Sequence, residues 1–213
     1  MIKTIFLSYI LILGYSCSEA EYKLNYFDIR GRGEFIRFIF AASNQNFEDN
    51  RIKIEDWPTL KPTFPFQQLP TLDVRQGSET IVLAQSKAIA RFLADRFGLN
   101  GENEIEKALI DMYGCQLGDL ADSTLGKNLT KEQLDEILHR NFKFFEDRLI
   151  KNGNGFLVGS KLSWTDLFLS QLMDFLEKTK DEYFKNYPHV KALDEYVREL
   201  PGIQEWIKKR PNF

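Results

Sequence analysis

Cysteine and excess positive charge are scarce in this sequence, and each scarcity excludes a class of protein. The chain has 213 residues but only two cysteines, Cys17 and Cys115, which excludes a disulfide scaffold and a zinc site. No Cys-x-x-Cys pair occurs, so dithiol redox chemistry is excluded as well. Lys and Arg number 28 against 31 Asp and Glu, and the net charge of −3 leaves no basic excess to neutralise nucleic-acid phosphates.

Apolar residues, in contrast, are plentiful. Hydrophobic residues make up 43% of the chain and charged residues 28%, which is typical of a soluble globular protein and not of a disordered one. The 18 phenylalanines are enough for a substantial core. The length allows one domain or two small ones.

Residues 1–20 have the three-part pattern of a secretory signal peptide. Lys3 supplies a positive charge, residues 5–13 are apolar, and Ser18 and Ala20 are small residues placed for cleavage. A membrane span would need about 20 apolar residues, and a buried first strand is disfavoured because strand alternation begins only at Tyr22. We therefore expect no membrane span, cleavage near Ala20, and a protein that is secreted or held in the lumen of the secretory pathway.

Two further residues bear on secretion. Cleavage after Ala20 would leave Cys115 as a single thiol, which is compatible with secretion if it is buried. Asn128 begins the one N-x-S/T sequon of the chain and is the candidate glycosylation site. Thr130 of that sequon has a structural alternative, because it is also placed to cap a helix with Gln133 completing a capping box.

The pattern of the first half alternates between strands and helices up to residues 97–101. Residues 22–27 alternate with period two and place Tyr22, Leu24 and Tyr26 on one face. The next predicted elements are a helix over 34–42, a strand over 47–54, a hairpin of 69–74 and 80–84, and a helix over 86–97 capped by Ser86. This order is the thioredoxin topology, in which a proline such as Pro70 begins the third strand and is often cis.

The second half is predicted to be helical throughout. Apolar residues recur at three-to-four spacing over 102–125, 130–151, 163–178 and 188–200, with a short helix over 203–209. Ser163 and Asp166 have the spacing of a capping box. We predict residues 21–98 to form an α/β thioredoxin-like domain and residues 102–213 to form an all-α domain.

Five sequence blocks resemble cytosolic-type glutathione transferases of the sigma class. They are residues 22–33, 56–58, 65–70, 85–91 and 159–166, in the family's order and spacing. The resemblance covers the chain from Tyr22 to the carboxyl end. It implies the glutathione transferase fold, glutathione as co-substrate, no metal, a homodimer, and detoxification of small hydrophobic electrophiles by conjugation.

The resemblance also implies which residues form the site. Tyr26 matches the hydroxyl that stabilises the glutathione thiolate, and Arg32 matches the arginine that supports this hydroxyl. An ordinary thiol, with a pKa near 8.5, is only about 3% ionised at pH 7, so stabilising the anion matters. The other matched positions contact glutathione, and they are Trp57, Lys61, Gln67, Gln68, Leu69, Pro70, Gln85, Ser86 and, from the partner subunit, Asp119.

Two alternative functions stay open on the same fold. The sigma class includes hematopoietic prostaglandin D synthase, so a glutathione-dependent prostaglandin-H2 D-isomerase is one. Cys115 and Gly118 replace two of that enzyme's three metal-linked aspartates, and Gly126 replaces its tryptophan, which weakens this reading. A non-catalytic carrier of apolar ligands is the other alternative, and only turnover would separate it from an enzyme.

Overall fold

The computed structural model describes residues 20–176 and 179–211. Residues 1–19 of the predicted signal peptide, with Cys17, therefore lie outside the described residues. The first half contains strands β1 to β4 and helices α1 to α3. In chain order they are β1 (Glu21–Phe27), α1 (Gly31–Ala42), β2 (Glu48–Ile52), α2 (Trp57–Leu60), β3 (Thr71–Gln76), β4 (Glu79–Ala84) and α3 (Ser86–Phe97).

The sheet has the order β2-β1-β3-β4 and is mixed. β2 runs parallel to β1, whereas β3 and β4 form an antiparallel hairpin beside it. The predicted face of β1 is confirmed, since Tyr22, Leu24 and Tyr26 are all buried. This is the predicted thioredoxin-like arrangement, and it places Tyr26 near the carboxyl end of an inner strand.

The second half is helical, as predicted. It contains α4 (Glu104–Thr124), α5 (Lys131–Asn152), α6 (Trp164–Leu172), a 3-10 turn (Met173–Leu176), α7 (Lys180–Phe184), α8 (Pro188–Glu199) and α9 (Pro201–Lys209). Both predicted capping boxes form, at Thr130 and at Ser163. The short helices α2 and α7 were not predicted, because four or five residues are too few to show a helical period.

Helix α1 joins the two halves. Its phenylalanines pack against the sheet on one side and against α6 on the other, and Phe35 stacks on Phe168 with ring centroids 4.1 Å apart. Helix α4 also packs closely on α6, because a side chain at Gly114 would begin only 1.9 Å from the Trp164 ring. A continuous core therefore fixes the helical half against the sheet.

Three local expectations are wrong. Ser86 is the first residue of α3 and not its cap, because Gln85 holds the cap position and its carbonyl accepts the first helical hydrogen bond, from Ile89. The thiol of Cys115 is exposed, since Gly114 and Leu117 occupy the buried face of α4. The helix predicted over 163–178 has α geometry only to Leu172, after which it tightens into the 3-10 turn.

Candidate active site

The hydroxyl of Tyr26 lies against the first turn of α1. The backbone N–H of Arg32 donates a hydrogen bond to the Tyr26 Oη, with 2.9 Å between the heavy atoms. A Cβ at Gly31 would come within 2.5 Å of this oxygen, and one at Gly33 within 2.5 Å of the ring. The two glycines are therefore required for the helix to approach the tyrosine this closely.

The environment of Tyr26 keeps its hydroxyl protonated. Burial raises the pKa of Tyr26 above its ordinary value of 10.0, and the hydrogen bond from Arg32 and the charges of Arg32 and Arg37 only partly oppose this rise. The oxygen already accepts a hydrogen bond from the Arg32 backbone, and its own O–H remains available to donate. A protonated hydroxyl placed in this way can stabilise an adjacent anion.

Arg32 contacts the tyrosine through its main chain, and its side chain has a different partner. The guanidinium Nη2 lies 2.6 Å from Asp122 Oδ1 in α4, in an ion pair that is about half exposed. This pair connects the first turn of α1 to the helical half. Sequence reasoning missed Asp122, because the two residues are 90 positions apart. The one signal in the sequence that could have pointed to Asp122 was its position three residues after Asp119, since residues three apart lie on the same face of a helix.

The loop before β3 meets the turn before α3. Gln85 Nε2 donates to Gln68 Oε1 at 3.3 Å, so these two predicted site residues lie together. The Leu69–Pro70 peptide is cis, as expected for this position of the fold. Gln67 and Gln85 both have positive φ, of 53° and 72°. These turns leave main-chain groups outside regular secondary structure, where a peptide-like ligand can bind them.

Ser86 adds a helix N-terminus to this region. Because it opens the twelve-residue helix α3, the N–H groups of the first turn have no partners within the helix. A carboxylate is the ligand that such a terminus favours. The predicted position of Ser86 in a γ-glutamyl carboxylate site is therefore compatible with its place in α3.

Trp57 packs next to the end of β1. Its ring lies 5.4 Å from Phe27 and 5.6 Å from Phe64, measured between centroids. Lys61 follows one turn later and is exposed. The aromatic cluster thus fixes the segment that carries Lys61, whose ammonium is accessible to an anionic ligand.

Asp119 and Asn128 are exposed and stand apart from these contacts. Asp119 lies on α4, and Asn128 lies in the connection between α4 and α5. Within residues 20–176 and 179–211, no group of three His, Cys, Asp or Glu side chains could hold a metal ion. None of the helices in this part of the chain is both long and apolar enough to cross a membrane.

An apolar cavity of about 610 Å³ opens at Gly31, in the first turn of α1. Gly31 both lines this cavity and contacts the tyrosine hydroxyl. The remaining walls come from the ends of α4 and α6, the 3-10 turn and α5, and they include Leu120, Leu125, Leu134, Leu138, Phe142 and Met173. Sequence reasoning did not find these residues, because a buried leucine on a helix looks the same whether it faces a core or a cavity.

A larger cavity, of about 1000 Å³, opens at the opposite end of the sheet. It lies between the start of β1 and the end of α3, and it includes Tyr22 and Arg96. None of the predicted site residues lines it. The predicted site residues do not line the apolar cavity either, but that cavity reaches Gly31, which lies against the Tyr26 hydroxyl. The apolar cavity is therefore the one that can hold a reaction partner of a group bound at the tyrosine.

Comparison with known proteins agrees with this geometry. Residues 22–95 match the glutathione S-transferase N-terminal domain family, and residues 120–210 match the C-terminal domain family. Glutathione S-transferase 1 of Ascaris suum is 39% identical over 204 residues, covering 90% of this chain and 97% of the relative. Human hematopoietic prostaglandin D synthase is 35% identical over 197 residues, with the same coverage. The crystal structure of a glutathione S-transferase specific to the nematode Caenorhabditis elegans superposes with a TM-score of 0.81 at 38% identity, covering 91% of this chain and 99% of that one.

Proposed function

Because this chain belongs to the glutathione S-transferase family, we propose that it conjugates glutathione to small apolar electrophiles, with the Tyr26 hydroxyl stabilising the glutathione thiolate. The observation that carries this mechanism is the placement of Tyr26. Its protonated hydroxyl accepts the Arg32 N–H and adjoins the apolar cavity at Gly31. An anion and an apolar molecule can therefore meet at one point.

In this mechanism Tyr26 donates its O–H to the sulfur and lowers the pKa of the bound thiol. A hydrogen bond to a charged group contributes about 1.5–3 kcal/mol, which corresponds to roughly one to two pKa units. The thiol proton leaves to solvent, and the sulfur attacks the electrophilic carbon. A sulfur–carbon bond forms, and the leaving group departs with its electron pair and takes up a proton.

The remaining matched residues hold glutathione in this scheme. Gln85 and Ser86 bind the γ-glutamyl group at the start of α3, supported by the contact between Gln85 and Gln68. The main chain of Leu69, before the cis proline, pairs with the cysteinyl residue. The segment fixed by Trp57 presents Lys61 to the glycyl carboxylate.

A sigma-class homodimer is part of the same proposal. The exposed position of Asp119 supports its role as a contact to glutathione bound in the partner subunit. If this holds, the mass of the protein in solution is that of two chains, and Asp119→Ala weakens glutathione binding without dissociating the dimer. Sedimentation combined with calorimetric titration measures both quantities.

Prostaglandin-H2 D-isomerase is the second candidate activity, favoured by the similarity to proteins with that name. Gly126, at the cavity, and Cys115 and Gly118 on α4 differ from the synthase pattern and make it the weaker one. A carrier of apolar ligands would bind in the same cavity but show no turnover. Product analysis with prostaglandin endoperoxide and with an aromatic halide separates the three functions.

Secretion is proposed from the amino-terminal pattern of residues 1–20. The exposed position of Asn128 supports its use as a glycosylation site, although Thr130 also accepts the capping hydrogen bond from the Gln133 N–H. Expression of the full chain in a eukaryotic secretory host tests both ideas. Recovery from the medium beginning at residue 21, with a mobility shift abolished by Asn128→Gln, is the expected result, and retention in the cytosol would contradict it.

The mechanism is tested by Tyr26→Phe in residues 21–213. We expect conjugation of an aromatic halide at neutral pH to fall at least about tenfold, and the pH at which the bound thiol ionises to rise. The phenyl ring keeps the packing against Gly33, so thermal stability is the control. Equal activity in both proteins would show that another group stabilises the thiolate.

A further inference from the structure

A buried ion cluster spans the contact between the two halves behind the apolar cavity. Arg210, which follows α9, donates from Nη1 to Glu34 Oε1 of α1 at 2.7 Å and to Asp174 Oδ2 of the 3-10 turn at 2.6 Å. The side chains of Glu34 and Asp174 are fully buried, and that of Arg210 is 4% exposed. Trp206 Nε1 donates to the same Glu34 oxygen at 2.9 Å. Arg210 therefore bridges two carboxylates from opposite halves.

On the helical side, this cluster ends at the wall of the cavity. Asp174 lies between Met173 and Phe175 in the 3-10 turn, and all three residues line the cavity. The other oxygen of Asp174 accepts from Arg198 Nη2 at 2.7 Å. Burial by itself would raise the pKa of Asp174, but the two arginines hold it below its ordinary value, so the carboxylate is charged at neutral pH. The turn is thus anchored by two ionic contacts.

On the glutathione side, the cluster ends at the loop next to Tyr26. Glu34 Oε2 accepts from Arg37 Nη1 at 3.1 Å, and Arg37 Nη1 also donates to the carbonyl of Ile29 at 3.0 Å. Ile29 lines the cavity just before Gly31. The two walls of the cavity are therefore connected through Arg37, Glu34, Arg210 and Asp174, with charges that alternate in sign.

We propose that Arg210 is a positioning residue that holds the two cavity walls at a fixed separation and thereby sets the affinity for the apolar part of the electrophile. It does so by bridging Glu34 and Asp174, and it takes no part in thiolate formation. The inference rests on the proposed function of the cavity. The proposed role of Arg210 concerns only the position of the cavity walls. Among the hydrogen bonds and ion pairs of the described residues, Arg210 contacts neither Tyr26 nor any residue predicted to bind glutathione.

Removal of the arginine leaves each carboxylate with one cationic partner. Glu34 keeps Arg37 and Asp174 keeps Arg198, so each half retains its own ion pair and only the bridge is lost. Two buried like charges then repel each other, which pushes the 3-10 turn away from α1. The cavity widens, and an alkyl chain inside it loses contacts with the wall.

The test compares two thioethers of glutathione, S-methylglutathione and S-hexylglutathione, by calorimetric titration. The first fills the glutathione site only, and the second also places an alkyl chain in the cavity. In Arg210→Met we expect S-hexylglutathione to bind at least about fourfold more weakly, the equivalent of one methylene group uncovered. Binding of S-methylglutathione should not change. Lys208→Met is the matched control, because it removes a neighbouring but exposed cation, and it should change neither affinity.

Kinetics and a conservative variant separate positioning from a general structural role. Arg210→Met should raise the KM for the electrophile, with the KM for glutathione and the pH of thiolate formation unchanged. Arg210→Lys keeps the charge and can donate to both carboxylates, so it should restore part of the S-hexylglutathione affinity. If Arg210→Met does not fold, Asp174→Asn removes one of the two charges that Arg210 bridges, with little change in shape. It should give a smaller loss with the same selectivity, because no two carboxylates are then left facing each other.

Three outcomes would overturn the inference. An S-hexylglutathione affinity that is unchanged in all three bridge variants would show that the cluster does not set the cavity. Equal weakening of both thioethers would show that it acts on the glutathione site or on the whole fold. Failure of the unmodified protein to bind S-methylglutathione would instead contradict the proposed function, and the inference would fall with it.

Discussion

The two halves of the candidate site are built in different ways. On the glutathione side, the predicted contacts are largely main-chain features: the Arg32 N–H, the glycines of the first turn of α1, the cis Leu69–Pro70 peptide and the start of α3. On the cavity side, the surface consists of apolar side chains from α4, α5, α6 and the 3-10 turn. In the proposed function, the first half binds a fixed ligand through backbone geometry, whereas the second can change its specificity by changing side chains.

This difference predicts where mutations change chemistry and where they change specificity. Changes near Tyr26 should alter thiolate formation for every electrophile. Changes in the helical half should alter the KM for one electrophile relative to another or the stability of the cavity wall. Five predictions, made at four residues, sharpen this comparison, and the residues are taken in order of decreasing expected effect.

The largest effect is expected at Asp166, which caps the helix leading to the cavity wall. Its carboxylate accepts hydrogen bonds from the Leu157 N–H at 2.9 Å, the Ser163 N–H at 2.8 Å and the Ser163 hydroxyl at 2.6 Å. Asp166→Ala removes all three, so we expect the free energy of unfolding to fall by about 3 kcal/mol. Urea denaturation measures the change, and a loss below about 1 kcal/mol would contradict it.

The same residue predicts a pH dependence of stability. Burial raises the pKa of Asp166 to about 6 from 3.8, although the hydrogen bonds from Ser163 and Leu157 oppose the rise. Because the folded state binds the proton more tightly than the unfolded chain, the contribution of Asp166 is greatest below about pH 4 and is lost as the pH rises through about 6. The stability of the protein relative to Asp166→Asn should therefore decrease between pH 5 and pH 7, and an increase would contradict the assignment.

The next effect is expected at Gly33, where added volume would displace Tyr26. A methyl group there would meet the tyrosine ring at 2.5 Å, so Gly33→Ala should lower conjugation at neutral pH by about tenfold, comparable to loss of the hydroxyl. Combined with Tyr26→Phe, it should cause little further loss of activity, because both changes act through the same hydroxyl. Additive losses would indicate a separate role for the glycine.

A smaller and selective effect is expected at Leu134, which is partly buried and lines the cavity. Leu134→Ala removes apolar contact with the electrophile, so its KM should rise about fourfold or more, with thiolate formation unchanged. Ile137→Ala is the matched control, since Ile137 lies on the same helix, is also partly buried and packs against the same core, but does not line the cavity. If both variants raise the KM equally, the effect comes from stability and not from the cavity.

The smallest effect is expected at Asp122, which pairs with the Arg32 side chain. The pair is about half exposed, and exposed ion pairs contribute at most about 1 kcal/mol. Asp122→Asn should therefore lower conjugation by less than about fivefold, and high salt should reduce the activity of the original protein toward that of the variant. A larger loss that salt does not affect would give Asp122 a direct role in glutathione binding.

Local patterns were enough to predict much of the fold. The alternation that buries Tyr22, Leu24 and Tyr26, the capping boxes at Thr130 and Ser163 and the cis peptide before Pro70 all depend on neighbouring residues. The errors were also local: the cap at Gln85 has an unusual φ of 72°, and nothing in the sequence marks which face of α4 carries Cys115. Helix propensity cannot show which face of α4 is buried, because the orientation of the helix depends on how closely Gly114 fits against Trp164.

The sequence by itself determined the order of elements, the position of Tyr26 at the end of the first strand and the turns around it, because these follow from residues close together in the chain. Only the tertiary structure showed that Arg32 reaches Asp122 through its side chain and Tyr26 through its backbone, and that Arg210 bridges Asp174 and Glu34, 176 residues away. The physical reason is the distance along the chain over which each kind of interaction acts. Backbone geometry and capping act over a few residues, whereas a buried charge finds its partner only when distant segments pack and exclude water.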